Sequence, residues 1–247
     1  MTSVPTSAAG ARPDIDAATL KRPFGLLFAL AVLAVIGLYI RSIYFTPIEA
    51  VQGAAQKIYY VHVPAAISAY LAYSLVALGS VIHLWLHDAR ADRLAESAAE
   101  VGLVFNSVVL TSGPLWARPI WNTWWTWDAR LTSTLFLWFI FAAYLVLRGA
   151  IDEPAMRARF AAVLAILGVL LIPFIHMSVY LFRTLHPMPI MLQPSAFQPN
   201  NPDPPLPPVM RTTFFIGMGA FMLLCIALVI ARYRYAAIRD AAAEANS

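Results

Sequence analysis

Six long apolar runs leave this chain few places to fold except a lipid bilayer. They are Phe24–Ile40, Val63–Leu86, Val101–Ala117, Leu131–Leu147, Phe160–Phe182 and Thr212–Ala231. A spanning helix needs about 20 apolar residues. The first, third and fourth runs are short and need flanking residues to complete a span. The runs are continuous rather than alternating over about ten residues, which argues for helices and against barrel strands. Helices also satisfy their own backbone hydrogen bonds, as lipid demands. Only 12% of the residues are charged, against about 25% in soluble domains. The expectation is an all-α integral membrane protein with six transmembrane helices, forming a single membrane domain over 1–247. The spans are placed at about 24–44, 63–87, 99–117, 130–148, 159–182 and 211–231.

The Lys and Arg residues orient the spans. Eleven of the seventeen fall on the side of the two termini. The positive-inside rule then makes both termini cytoplasmic. The loops 45–62, 118–129 and 183–210 lie on the outer face. Basic residues that are dispersed and flank spans speak against nucleic acid as a partner and for membrane lipid. The first run follows a polar segment and lacks a small-residue cleavage site, so it reads as a retained anchor. Cys225 is the single cysteine, which excludes an internal disulfide and CxxC chemistry. There is no glycine-rich phosphate loop, so any ATPase acting with this protein must be another chain. Half of the eighteen prolines lie between Pro187 and Pro208. They predict an extended strap over the outer face, with Ile190, Met191, Leu192 and Phe197 packing down.

Between the third and fourth runs lies WARPIWNTWWTWDAR, Trp116–Arg130, with five of the seven tryptophans. An aromatic belt at headgroup level accounts for one or two of these. Five together suggest a platform for a large flat ligand. Trp121, Trp124 and Trp125 are expected to share one face of a short helix. Asp128 is read as a cap for the fourth span or an ion-pair partner. His62, in YYVHVP, and His186, in LHP, flank helix ends on the outer side. Neutral imidazoles ligate haem iron from both faces, and interfacial histidines bonded to loops are the plainer reading. Arg118, Arg130 and Arg183 are outer cations that can meet carboxylates or snorkel to headgroups. His83 and His87, four residues apart, share a helix face and read as interfacial anchors before a metal site. His176, inside the fifth run, is a relay candidate or a histidine bonded to a neighbouring helix.

These residues carry a resemblance. GPLWARPIWNTWWTWDARLTS resembles the tryptophan-rich WWD signature of haem-handling membrane proteins. Together with His62, His186 and six spans, it is similar to the haem exporter protein C (CcmC) family of cytochrome c maturation. Two positions often held by glycine in that family are Ala117 and Asn122 here. The resemblance implies haem b at the outer face of the inner membrane, with His62 and His186 as axial ligands. It implies that Trp116, Trp121, Trp124, Trp125, Trp127 and Asp128 border the haem, with Arg118, Arg130 and Arg183 nearby. The implied partners are the haem chaperone CcmE, the ABC subunits CcmA and CcmB, and the small membrane protein CcmD. The implied role is presentation and delivery of haem rather than enzymatic turnover by this chain.

Three other readings compete. A cofactor-free structural subunit of a transporter complex would suit the strap and the short inward loops. A secondary transporter or channel is disfavoured by the absence of intramembrane carboxylates and of an inverted repeat. A haem–apocytochrome synthase is disfavoured by the short chain.

Overall fold

The computed structural model describes residues 17–189 and 206–245. Residues 190–205 of the proposed strap, with Ile190, Met191, Leu192 and Phe197, lie outside the described residues. Seven α-helices occur among those described: α1 (Ala17–Ile40), α2 (Tyr59–Leu86), α3 (Ala89–Trp121), α4 (Ala129–Ala150), α5 (Pro154–Val169), α6 (Leu171–Leu181) and α7 (Pro208–Ala245). They give six helical stretches long and apolar enough to cross a membrane, with α5 and α6 forming one stretch. The protein is an all-α membrane protein. One π-helical turn, Arg41–Phe45, extends α1, and a 3-10 turn, Ala54–Ile58, leads into α2.

Helices α2 and α3 form the central antiparallel hairpin. His87, in the left-handed conformation, ends α2. Asp88 caps α3, its carboxylate accepting from the Arg90 N–H at 2.8 Å. Small residues bring the two helices together, as is usual where helices meet in lipid. A Cβ on Gly79 would stand 2.6 Å from the Ala91 carbonyl oxygen, and one on Gly102 would stand 2.6 Å from the Tyr73 ring. The Tyr73 ring in turn stacks on Phe141 of α4, centroids 3.8 Å apart. Tyr60, Tyr73, Phe141, Tyr144 and Ile175 are fully buried around this axis. Cys225 fills the core behind Ser68, its Sγ 3.6 Å from that carbonyl.

The fifth apolar run is broken where one continuous helix was expected. Leu170 separates α5 from α6, three residues before Pro173. A proline there removes the N–H that would bond the Val169 carbonyl. Helix α3 runs on to Trp121, so 118–121 are helical and the connection to α4 shrinks to 122–128.

At the end of the bundle opposite the tryptophans, charges join α3, α4 and α7. Arg148 of α4 grips Asp92 at 2.6 and 2.9 Å and reaches Glu96 at 3.2 Å. Arg239 of α7 also binds Glu96, at 2.8 and 2.9 Å. Arg93 pairs with Asp240 at 2.9 Å. The charged run Asp88–Glu100 is thus a set of interhelical clamps as well as a helical extension.

Candidate functional site

His62 sits in the first turn of α2, at the tryptophan end. Pro64 lacks the N–H that would bond the Tyr60 carbonyl. That carbonyl faces Gly217 of α7, where a Cβ would approach it to 3.1 Å. The turn carrying His62 is therefore packed closely against α7. The His62 ring is buried, with 8% exposure. Its Nδ1 lies 2.9 Å from Ser112 Oγ of α3. Trp116 meets it edge-on, centroids 5.9 Å apart. The Trp116 Nε1–H donates to Gln52 Oε1 at 3.0 Å, which fixes the indole.

His186 lies in the loop after α6 and is half-buried. Its Nδ1 is 2.8 Å from the Pro187 carbonyl oxygen. A carbonyl only accepts, so Nδ1 carries the proton and Nε2 the lone pair. Burial, with Arg130 adding to it, pushes its pKa down to about 4. The imidazole is therefore neutral at pH 7 and competent as a ligand. The His62 and His186 rings stand 6.4 Å apart between centroids, inclined at 38°. One hundred and twenty-three residues separate the two in sequence.

The tryptophan segment does not form the short helix expected of it. Asn122 takes the left-handed conformation, φ 55°, and ends α3. Glycine adopts that conformation most easily and asparagine next. Asparagine is thus an adequate substitute at this position. Ala117 is buried within α3. Residues 123–128 then form an irregular loop held by their own side chains. Thr123 Oγ1 donates to the Trp125 carbonyl at 3.1 Å, and Thr126 Oγ1 to Asp128 Oδ2 at 3.0 Å. Asp128 Oδ1 accepts the N–H groups of Arg130 and Leu131, each at 3.0 Å. Asp128 is the N-cap of α4, and both its oxygens are engaged.

These elements line a cavity at the tryptophan end. Trp116, Trp121, Trp124 and Trp125 line it, together with His62 and His186. Asp128 and Arg130 also face it, and it reaches down to Tyr73 and Asn106. Three of the expected site residues are not in its wall. Trp127 is 76% exposed and touches Trp125 edge-on at 5.8 Å. Arg118 is exposed, bonds the Asn122 side chain and lies over the Trp124 ring at 6.0 Å. Arg183 is exposed beyond the end of α6. Two buried donors of the wall, Arg130 Nη1 and Trp125 Nε1, find no acceptor among the described residues. Buried donors without partners are rare in native proteins and call for an explanation.

Ser112 and Gln52 were not legible in the sequence as site residues. The one signal is the small, polar Ser112-Gly113-Pro114 break within an otherwise apolar run. His83 binds the Asp88 carbonyl at 3.0 Å, and no cluster of three or more His, Cys, Asp or Glu occurs among the described residues. His176 lies against Tyr180, centroids 6.4 Å apart, and does not line the cavity.

Comparison with known proteins places the chain among a set of relatives. The family model described as "Heme exporter protein C" matches residues 9–246. The chain is 34% identical over 208 residues to the Heme exporter protein C of Escherichia coli (strain K12), covering 83% of this chain and 81% of that protein. It is 32% identical over 215 residues to the protein of the same name in Haemophilus influenzae, 87% and 85% of the two chains. With that of Bradyrhizobium diazoefficiens the identity is 40% over 162 residues, 65% and 60% of the two.

Proposed function

Because the chain belongs to the haem exporter protein C family, we propose that it takes part in haem export for cytochrome c maturation by holding haem b at its tryptophan end and presenting it to the chaperone CcmE. His62 and His186 are the axial ligands in this reading. One observation carries it. Imidazole nitrogens bind a metal at about 2.0–2.1 Å, so two rings on opposite sides of one metal have centres about 6 Å apart. The rings of His62 and His186 are 6.4 Å apart. Each has its Nδ1 engaged elsewhere, leaving Nε2 for the metal.

The remaining wall suits the same ligand. Trp116, Trp121, Trp124 and Trp125 offer apolar aromatic surface to a porphyrin. Arg130 and Trp125 bring unmatched donors for propionate carboxylates, and guanidinium–carboxylate bonds are among the stronger ones. Bound haem would supply the reactive edge that the chaperone takes up. This chain's own residues hold the plane, keep water from the buried face and leave the rim open. Trp127 and Trp124, both exposed, form that rim and the meeting surface for CcmE. CcmA, CcmB and CcmD complete the assembly. The charge distribution supports an inner-membrane orientation with the site facing the periplasm and both termini in the cytoplasm.

Visible spectra of the detergent-purified protein test the proposal. A low-spin haem b spectrum is expected in the parent and a perturbed one in His62→Ala and in His186→Ala. Unchanged spectra in both variants would overturn the ligand assignment. A parent without haem, even when expressed with its partners, would instead favour the cofactor-free structural subunit.

A further inference from the structure

The two histidines are held by unlike neighbours. His186 leans on a backbone carbonyl in a loop. His62 leans on one buried hydroxyl of a helix, and that hydroxyl has a second contact. Ser112 Oγ lies 2.6 Å from the carbonyl oxygen of Val108, four residues back in α3. A hydroxyl has one proton to give and lone pairs to receive with. With its proton directed to Val108, Ser112 accepts the Nδ1–H of His62. His62 is then the Nδ1–H tautomer, and the lone pair sits on Nε2. The backbone of α3 backs the ring as well, since a Cβ on Gly113 would stand 3.4 Å from His62 Cε1. Ser112 and His62 are both buried, so water does not substitute for either.

We propose that Ser112 is the positioning residue for His62: it sets the tautomer and orientation of the ring and raises its basicity as an iron ligand. This inference rests on the haem reading above. A partner on the outer nitrogen of a ligating histidine fixes the ring and strengthens the ligand, and its loss typically costs about 10–100-fold in metal affinity. A more basic imidazole favours ferric over ferrous iron. Losing the hydroxyl therefore speeds haem loss and raises the midpoint potential.

The experiment compares the haem-loaded parent with Ser112→Ala, Ser112→Thr and Ser112→Cys in detergent. Two quantities are read: the rate of haem transfer to excess apomyoglobin, and the midpoint potential. Ser112→Ala is expected to keep a low-spin spectrum, lose haem about tenfold faster and show a higher potential. Ser112→Thr keeps the hydroxyl and stays at the parent values. Ser112→Cys, nearly the size of serine but a weaker hydrogen-bonding group, shifts in the direction of alanine. It serves if the alanine variant fails to fold. Parent-like rate and potential in Ser112→Ala or Ser112→Cys overturn the proposal. So does a threonine variant that shifts as far as alanine. These outcomes leave the haem reading standing as long as His62→Ala perturbs the spectrum. If His62→Ala leaves it unchanged, the haem reading fails first.

Discussion

Arg130 and Arg148 belong to the same helix, one at each end of the bundle, and their surroundings are opposite. Arg148 is 8% exposed and grips Asp92 with two bonds and Glu96 with a third. Arg130 also lies partly buried, but it forms no ion pair among the described residues, and its Nη1 has no acceptor. Asp128, two residues away, offers Arg130 only a backbone bond, because its oxygens cap the helix and hold Thr126. A paired buried charge holds helices together. On the proposed function, an unpaired one at the wall of a cavity is the group that meets a haem carboxylate. The contrast separates the clamped end of the molecule from the end that the proposed function assigns to the ligand.

The largest expected effect comes from breaking the paired end. Arg148→Met leaves the half-buried Asp92 without its partner and takes from Glu96 one of its two arginines. Stranding a buried charge typically costs about 3–5 kcal/mol, and thermal unfolding in detergent measures it. Arg130→Met should cost far less stability and instead lower haem retention by about tenfold or more, since a bond to a charged group contributes about 1.5–3 kcal/mol. Equal destabilisation in the two variants would erase the distinction between the two ends.

A pH titration sharpens the ligand side. An ordinary histidine binds a proton near 6.5, whereas His186 does so only near 4. Haem retention at this ligand should stay flat from pH 7 to about 5 and fall only towards 4. In the unliganded protein the sign is the same. Below 6.5 the unfolded chain takes up a proton that the folded one refuses, so stability declines as pH falls from about 6.5 towards 4. Haem loss with a midpoint near 6.5 would mean that His186 is not held as described.

Two smaller effects test the tryptophan loop. Asp128→Ala removes a helix cap at a cost of about 1 kcal/mol and releases Thr126. Asp128→Asn retains the capping and should leave chaperone loading close to normal. A strong loss with asparagine would assign the carboxylate charge a direct role. Asn122→Gly should change stability by only a few tenths of a kcal/mol, whereas Asn122→Ala should lose about 1 kcal/mol at a left-handed position. Circular-dichroism melts resolve the two.

The sequence carried the helices well because apolar runs and terminal caps are local signals. Asp88, Asp128 and Glu153 each stand one residue before a helix and cap it. The tryptophan segment misled, because its spacing suggested a helical face while Asn122 reverses the backbone inside it. The charged run Asp88–Glu100 finds its partners in Arg148, Arg232 and Arg239, which are too distant in sequence to be paired from spacing. His62 and His186 stood out because each lies within two residues of a proline near a helix end. Ser112 was silent, since a serine in an apolar helix is ordinary until the ring it touches is known.

The stacked pair Tyr73 and Phe141, with Gly102 drawn tight against the tyrosine, is the floor of the cavity. On the proposed function, haem held above this floor sits near the tryptophan mouth, and the chain works as a berth.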